Sequence, residues 1–161
     1  MQNPTEGKHR LSIRRRMPAT RDVVFEAWTD PQGLREWMCP GDTFAAEATL
    51  DLRVGGSYRI VMKSKNRDYV HTGVYQVVDP PSKLVFTWTR DEDDVTTLVT
   101  VEFVAQGDES ELVLTHERFR DAEVMKRYQG GWGQIAEKLA TYLAKHSATA
   151  APSTKTPSTK T

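Results

Sequence analysis

His9, His71, His116 and His146 are the only imidazoles of this chain and Cys39 its only thiol, so any metal, acid–base or nucleophilic chemistry must be sought at those positions first. The histidines are scattered, with no His-x-x-x-His or other ligand spacing, and a single cysteine builds neither a zinc cluster nor an internal disulfide. No metal and no cofactor is expected. His71 and His116 each lie on a strand-like segment among apolar neighbours, where either imidazole faces an interior as a donor, an acid–base group or a satisfied structural residue. Cys39 has no His or Asn beside it in sequence to mark an activating base, which favours a buried, incidental thiol. No catalytic residue is assigned.

Aromatic side chains carry the stronger signal. Trp28, Trp37, Phe44, Tyr58, Tyr69, Tyr75, Phe86, Trp88, Phe119, Tyr128 and Trp132 exceed what a minimal core requires. Pockets for small apolar ligands are lined this way, with a few polar groups to orient the ligand. The candidate binding residues are therefore Trp37, Tyr58, His71, Tyr75, Phe86, Trp88, His116, Tyr128 and Trp132, with Arg53 to hold an anionic headgroup at the mouth. Core packing is the equal alternative for each aromatic. For Arg53 the alternative is a turn at Val54-Gly55-Gly56 whose glycines adopt positive φ while Asp51 and Arg53 pair on the surface. Val54-Gly55-Gly56-Ser57 lacks the lysine and spacing of a phosphate loop.

Those side chains need one domain to position them. The chain has 161 residues, with Lys plus Arg and Asp plus Glu at 22 each, so no net field favours nucleic acid or an anionic membrane. Small or apolar partners fit that balance. Neither a signal-peptide-like apolar run nor a stretch of about 18 apolar residues occurs, and the lone cysteine fits a reducing compartment; a cytoplasmic protein without membrane insertion is expected. Residues 147–161, with Pro-Ser-Thr-Lys-Thr twice in tandem, hold no large apolar side chain and read as a disordered tail after a domain spanning 8–146.

Within the domain, Leu11 and Ile13 alternate in a first strand that Pro18 ends. Val24, Phe25 and Trp28, then Leu34, Trp37 and Met38, step at helical spacing, with Asp30-Pro31 capping the second of these short helices. Period-two segments follow: Phe44, Ala46, Ala48 and Leu50; Tyr58, Ile60 and Met62; Tyr69, His71, Gly73, Tyr75 and Val77; Leu84, Phe86 and Trp88; Val99, Val101 and Phe103; Leu112 and Leu114. Asp79-Pro80-Pro81-Ser82, Asp91 to Asp94 and Gln106 to Glu109 make turns between strands. These segments predict a curved antiparallel sheet of seven strands. From Asp121 to about His146, Met125, Tyr128, Trp132, Ile135, Leu139 and Tyr142 predict an amphipathic helix across its concave face. Gly130-Gly131 interrupts that helix at a cost of roughly 1 kcal/mol each relative to alanine, for close packing, a kink, or clearance beside Trp132.

The ordered motifs TDPQGLREW, DLRVGG, HTGVYQVVDPP, LVFTW, LVTVEF, LTHERF and GGW resemble the START-like (SRPBCC) helix-grip superfamily, and within it the Aha-type family named after an activator of a heat-shock chaperone ATPase. The resemblance spans about Leu11 to His146. It implies an α+β helix-grip fold: a seven-stranded antiparallel sheet gripping a long C-terminal helix, two small helices between strands 1 and 2, and an internal cavity. Activity does not follow from such a fold. The leading expectation is a binder of a small hydrophobic molecule, a lipid or an aromatic metabolite, more a carrier than an enzyme. The alternatives are a chaperone-ATPase co-regulator with a stress-response role, for whose additional N-terminal domain this chain has no room, and a cyclase- or hydrolase-like enzyme using His71 or His116. Homodimerisation through a sheet edge or helix face is left open.

Overall fold

The computed structural model describes residues 9–90 and 95–150. The predicted turn Asp91 to Asp94 and the repeats of the tail lie outside them. The elements are β1 (His9–Met17), α1 (Arg21–Thr29), α2 (Pro31–Trp37), β2 (Thr43–Leu50), β3 (Ser57–Ser64), β4 (Asp68–Asp79), β5 (Lys83–Arg90), β6 (Val95–Gln106), β7 (Glu109–Phe119) and α3 (Ala122–Ala150). The seven strands form one antiparallel sheet in the order β1-β7-β6-β5-β4-β3-β2. β1 and β2 are its two edges, and α1 and α2 make the passage from one edge to the other.

Local chemistry sets the element ends. The Asp30 carboxylate accepts from the Gln32 N–H with Pro31 next in line, which starts α2 as a new helix rather than a continuation of α1. A turn holding the cis Pro80–Pro81 bond separates β4 from β5. α3 runs to Ala150, beyond the end expected near His146. Ala148 and Ala150 are strong helix formers, and Pro152 is the first residue of the tail that cannot continue a helix.

One core fills the space between the sheet, α3 and the two short helices. Trp28, Trp37, Phe86, Phe103 and Trp132 are buried at its centre, with Trp28 edge-on to Trp37 at 4.9 Å and stacked on Trp132 at 6.2 Å. Arg15 anchors α3 to the β1 edge through a bidentate pair with Glu137, at 2.6 and 3.1 Å. Arg14 and Arg16 pair with Glu111 and Glu109 of β7. The basic run is thus divided between two faces of the edge strand, as alternation requires.

Three irregularities break the alternation read from the sequence. A register shift between Thr43 and Ala45 turns Phe44 outward, 67% exposed, while Ala46 is fully buried. Another between Tyr75 and Val77 makes Val78, not Val77, the residue that packs on the core. The third lies where β1 shifts register against β7 between His9 and Leu11, close to Arg118, whose φ of 75° is left-handed. Phe119 follows Arg118 into the interior, 4.3 Å from His116. Bulges of this kind re-aim side chains at the cost of regular pairing.

Candidate functional site

The ten predicted site residues divide among four places. Trp37, Tyr58, Tyr75 and Phe86 are core: each is at most 5% exposed, and Tyr58 meets both Tyr75 and Phe86 at 5.5 Å. The space left between Tyr58, Tyr75, Phe86, Trp28 and Trp88 is about 20 Å³, room for about one water molecule rather than an organic ligand. Burial raises the Tyr75 hydroxyl to about 12 and, with smaller contributions from Tyr75 and Tyr128, holds that of Tyr58 well above the usual phenol range. Both phenols stay neutral.

Arg53 stands apart from the other nine. It is 72% exposed and paired with Asp51 at 3.0 Å across the loop after β2. The loop is fixed by backbone bonds from Gly55 N–H to the Tyr75 carbonyl and from Tyr75 N–H to the Gly56 carbonyl. Only Gly55 has positive φ, at 87°; Gly56 is required because a Cβ there would lie 2.0 Å from the Asp51 carbonyl oxygen. Arg53 takes no part in any wall formed by the other candidates.

His71, Trp88, Tyr128 and Trp132 come together along one cleft of about 480 Å³. β3, β4 and β5 supply Met62, Tyr69, His71, Trp88 and Arg90, α3 supplies one long side from Lys126 to Ile135, and Pro40 to Thr43 form the lip. The lip is tied down by the Gly41 N–H bonding Gln134 Oε1 at 2.7 Å and by the Lys138 ammonium bonding the Cys39 carbonyl. The Lys138 Nζ also lies 3.7 Å from the buried Cys39 thiol, a spatial neighbour invisible from the sequence around Cys39.

His116 is behind the wall rather than in it. Fully buried, it accepts at Nδ1 from the Trp132 indole N–H at 2.9 Å and meets the Thr97 hydroxyl at Nε2 at 2.6 Å. An indole nitrogen only donates, so Nδ1 carries no proton. Nε2 therefore holds the hydrogen and donates to Thr97, whose own hydroxyl donates to the Trp88 carbonyl at 3.1 Å. Burial, with a smaller contribution from His71, lowers the His116 pKa to about 3. Such an imidazole neither takes nor delivers a proton near neutrality; it holds Trp132 and the β5 backbone at Trp88 in register. The Trp88 indole in turn donates to the Tyr128 hydroxyl at 3.3 Å, and His71 lies against the Trp88 ring at 4.6 Å. The cleft wall is thus a set of interlocked rings.

The diglycine faces this space. A Cβ built at Gly130 would meet nothing within 4 Å, and one at Gly131 only the Pro40 Cβ at an ordinary 3.8 Å. Close packing therefore does not explain them, and clearance over the cleft does. Gly130→Ala is expected to stabilise the fold by about 1 kcal/mol, read as a raised urea midpoint at unchanged m-value. No gain, or a loss, would show that the glycine serves packing after all.

Tyr69, Arg90, Lys126 and Arg127 complete the cleft and were not among the predicted residues. Tyr69 was legible as the β4 face-mate of His71, whereas the cations at the rim follow the same spacing as any solvated helix face. Among the described residues no three His, Cys, Asp or Glu side chains group as a metal site, and no helix is long and apolar enough to cross a membrane.

A seven-stranded antiparallel sheet curled around a long C-terminal helix, with two short helices between the first two strands, defines a helix-grip domain of the START-like (SRPBCC) superfamily. The chain belongs to the family described as Activator of Hsp90 ATPase homolog 1-like protein, whose model matches residues 18–144. Among solved structures it is similar to an AHSA1-like protein from Aeromonas hydrophila, at 22% identity, with 86% of this chain and 94% of that one covered and a TM-score of 0.73. A protein from Rhodobacter sphaeroides is similar at 23% identity, with 90% and 97% covered and a TM-score of 0.75. One from Chromobacterium violaceum is similar at 21%, with 83% and 96% covered and a TM-score of 0.74. Likenesses at these identities establish the fold and no more. No curated protein of known role matches the sequence.

Proposed function

We propose that this domain binds a small, largely apolar molecule in the cleft between the diglycine face of α3 and the sheet, and acts as a binder rather than a catalyst. The observation that carries the reading is Gly130-Gly131: two residues that weaken a helix, with open space where their side chains would be, above a wall of Trp88, Tyr128 and Trp132. A volume of about 480 Å³ is in the range that holds a drug-sized ligand. The space among Trp28, Tyr58, Tyr75, Phe86 and Trp88, by contrast, has room for about one water, which favours a cavity beside the helix over one beneath it. A binding role also accords with His116, whose nitrogens are both engaged behind the wall, by Trp132 and Thr97.

The test is native mass spectrometry and thermal shift of the full chain against a panel of flat apolar molecules, in parallel with Gly130→Leu. Leucine suits a helix and its side chain would occupy the cleft. Ligands that raise the Tm of the parent chain and not of the variant support the reading; a panel that shifts neither, or both alike, overturns it. The other reading, co-regulation of a chaperone ATPase through the surface, has the family's description behind it and predicts altered ATP turnover when the two proteins are mixed.

A further inference from the structure

The charges around the cleft narrow the ligand class further, on the premise that the cleft is the binding site. Its floor and long wall carry no Lys, Arg, Asp or Glu: Tyr69 and Trp88 come from the sheet, and Tyr128, the diglycine and Trp132 from α3. Among the described residues that line it, the charged rim is one-sided. Arg90 lies at the end of β5, and Lys126 and Arg127 one turn before Gly130, while Asp42 at the lip is the single acidic residue among the described ones that line the cleft. Over the whole chain the two signs are equal, 22 against 22, whereas among the described lining residues cations outnumber acids three to one. Arg127 makes no ion pair with another described residue. Lys126 has only a loose partner one turn back, Glu123 at 3.8 Å, both side chains more than two-thirds exposed. Such a pair is weak and rearranges readily around a stronger anion.

We propose that the ligand is an amphipathic anion: a flat aromatic or apolar body carrying one carboxylate, sulfonate or phosphate. The body lies along the Trp88–Tyr128–Trp132 wall over the diglycine, and the charge points to the Arg127 and Lys126 end. Aromatic rings supply contact area for the body without polar competition. Guanidinium groups supply forked donors for an oxyanion, and at an exposed rim the attraction weakens as salt rises.

Two fluorescent probes with the same aromatic frame separate charge from shape: 8-anilinonaphthalene-1-sulfonate and N-phenyl-1-naphthylamine, which lacks the sulfonate. The sulfonate is expected to bind at least tenfold more tightly, with an affinity that falls as salt rises. The double reversal Lys126→Glu, Arg127→Glu should weaken the sulfonate tenfold or more and leave the neutral probe unchanged; Gly130→Leu should remove both. Equal affinity for the two probes, or a sulfonate affinity indifferent to the reversal, overturns the anion assignment while the cleft remains the binding site. Binding of neither probe, or binding unaffected by Gly130→Leu, overturns both the anion assignment and the cleft itself.

Discussion

Acidification from pH 6.5 towards 3 should cost this domain stability at close to 1.4 kcal/mol per pH unit through a single residue, His116. Its folded pKa is lowered to about 3 because the ring is buried and near His71, whereas in the unfolded chain it returns to about 6.5. Between those values the unfolded state binds a proton that the folded state refuses. Stability from this group is therefore complete above pH 6.5, declines through the window, and levels off below about 3. The accumulated loss reaches about 5 kcal/mol, comparable with the whole stability of many domains. Urea denaturation of the parent and of His116→Gln at pH 7, 6, 5 and 4 isolates the effect. The variant loses some stability at pH 7, since the bonds to Trp132 and Thr97 are imperfectly replaced, yet its profile should be flatter by the slope given above. Parallel profiles would mean that the folded ring binds a proton as readily as the unfolded one, so that Nδ1 is not held as an acceptor by Trp132.

The same residue shows how far the sequence can be read. That His116 lies on a strand facing inward follows from its alternation with Leu112 and Leu114. That its two nitrogens are occupied by Trp132, sixteen residues on, and by Thr97 on the neighbouring strand depends on register and helix rotation, which periodicity does not contain. The strand and helix pattern was legible because each segment keeps one period over many residues. It fails at the bulges: Phe44 scores as inward by alternation and is 67% exposed, because one extra residue reverses the faces beyond it. For the site, the aromatic surplus identified the right residue types, and four of the ten candidates line the cleft. Of the others, Arg53 is a surface turn residue, and Trp37, Tyr58, Tyr75 and Phe86 are buried as deeply as Trp88 and Trp132. What separates them is which side chain borders the cleft, a property of the assembled layers that a tryptophan does not carry in its sequence position. Gly130-Gly131 was the better pointer, because an unfavourable residue in a helix needs a reason that apolar residues do not.

Gly73→Ala should cost roughly 3 kcal/mol or more, a large loss for a single methyl. A Cβ at Gly73 would stand 1.9 Å from the Thr87 carbonyl oxygen and 2.5 Å from both the Cε2 and the hydroxyl of Tyr58. The reason is a gap in the β4–β5 ladder. Tyr58, opposite Gly73 on β3, passes over the glycine and donates its hydroxyl to the Thr87 carbonyl at 2.5 Å, while the Thr87 hydroxyl accepts from the Val74 N–H at 2.8 Å. Side chains thus take over backbone bonds at this point, and only a glycine leaves them room. Tyr58→Phe alone removes one buried donor and should cost about 1–3 kcal/mol. Because the alanine already displaces that hydroxyl, the double variant should be little worse than Gly73→Ala, a coupling that denaturation of the four proteins measures directly. Additive losses would mean that the tyrosine and the glycine act separately, and an alanine variant within 1 kcal/mol of the parent would mean that the strands part without cost. The consequence reaches the cleft, since His71 and Trp88 lie on the two strands that this junction joins, close on either side of it. Loosening the pair there should blunt probe binding as well as stability, whereas Gly130→Ala, on the far wall, should raise stability: two glycines opposed in effect, one needed by the sheet and one by the space beside the helix.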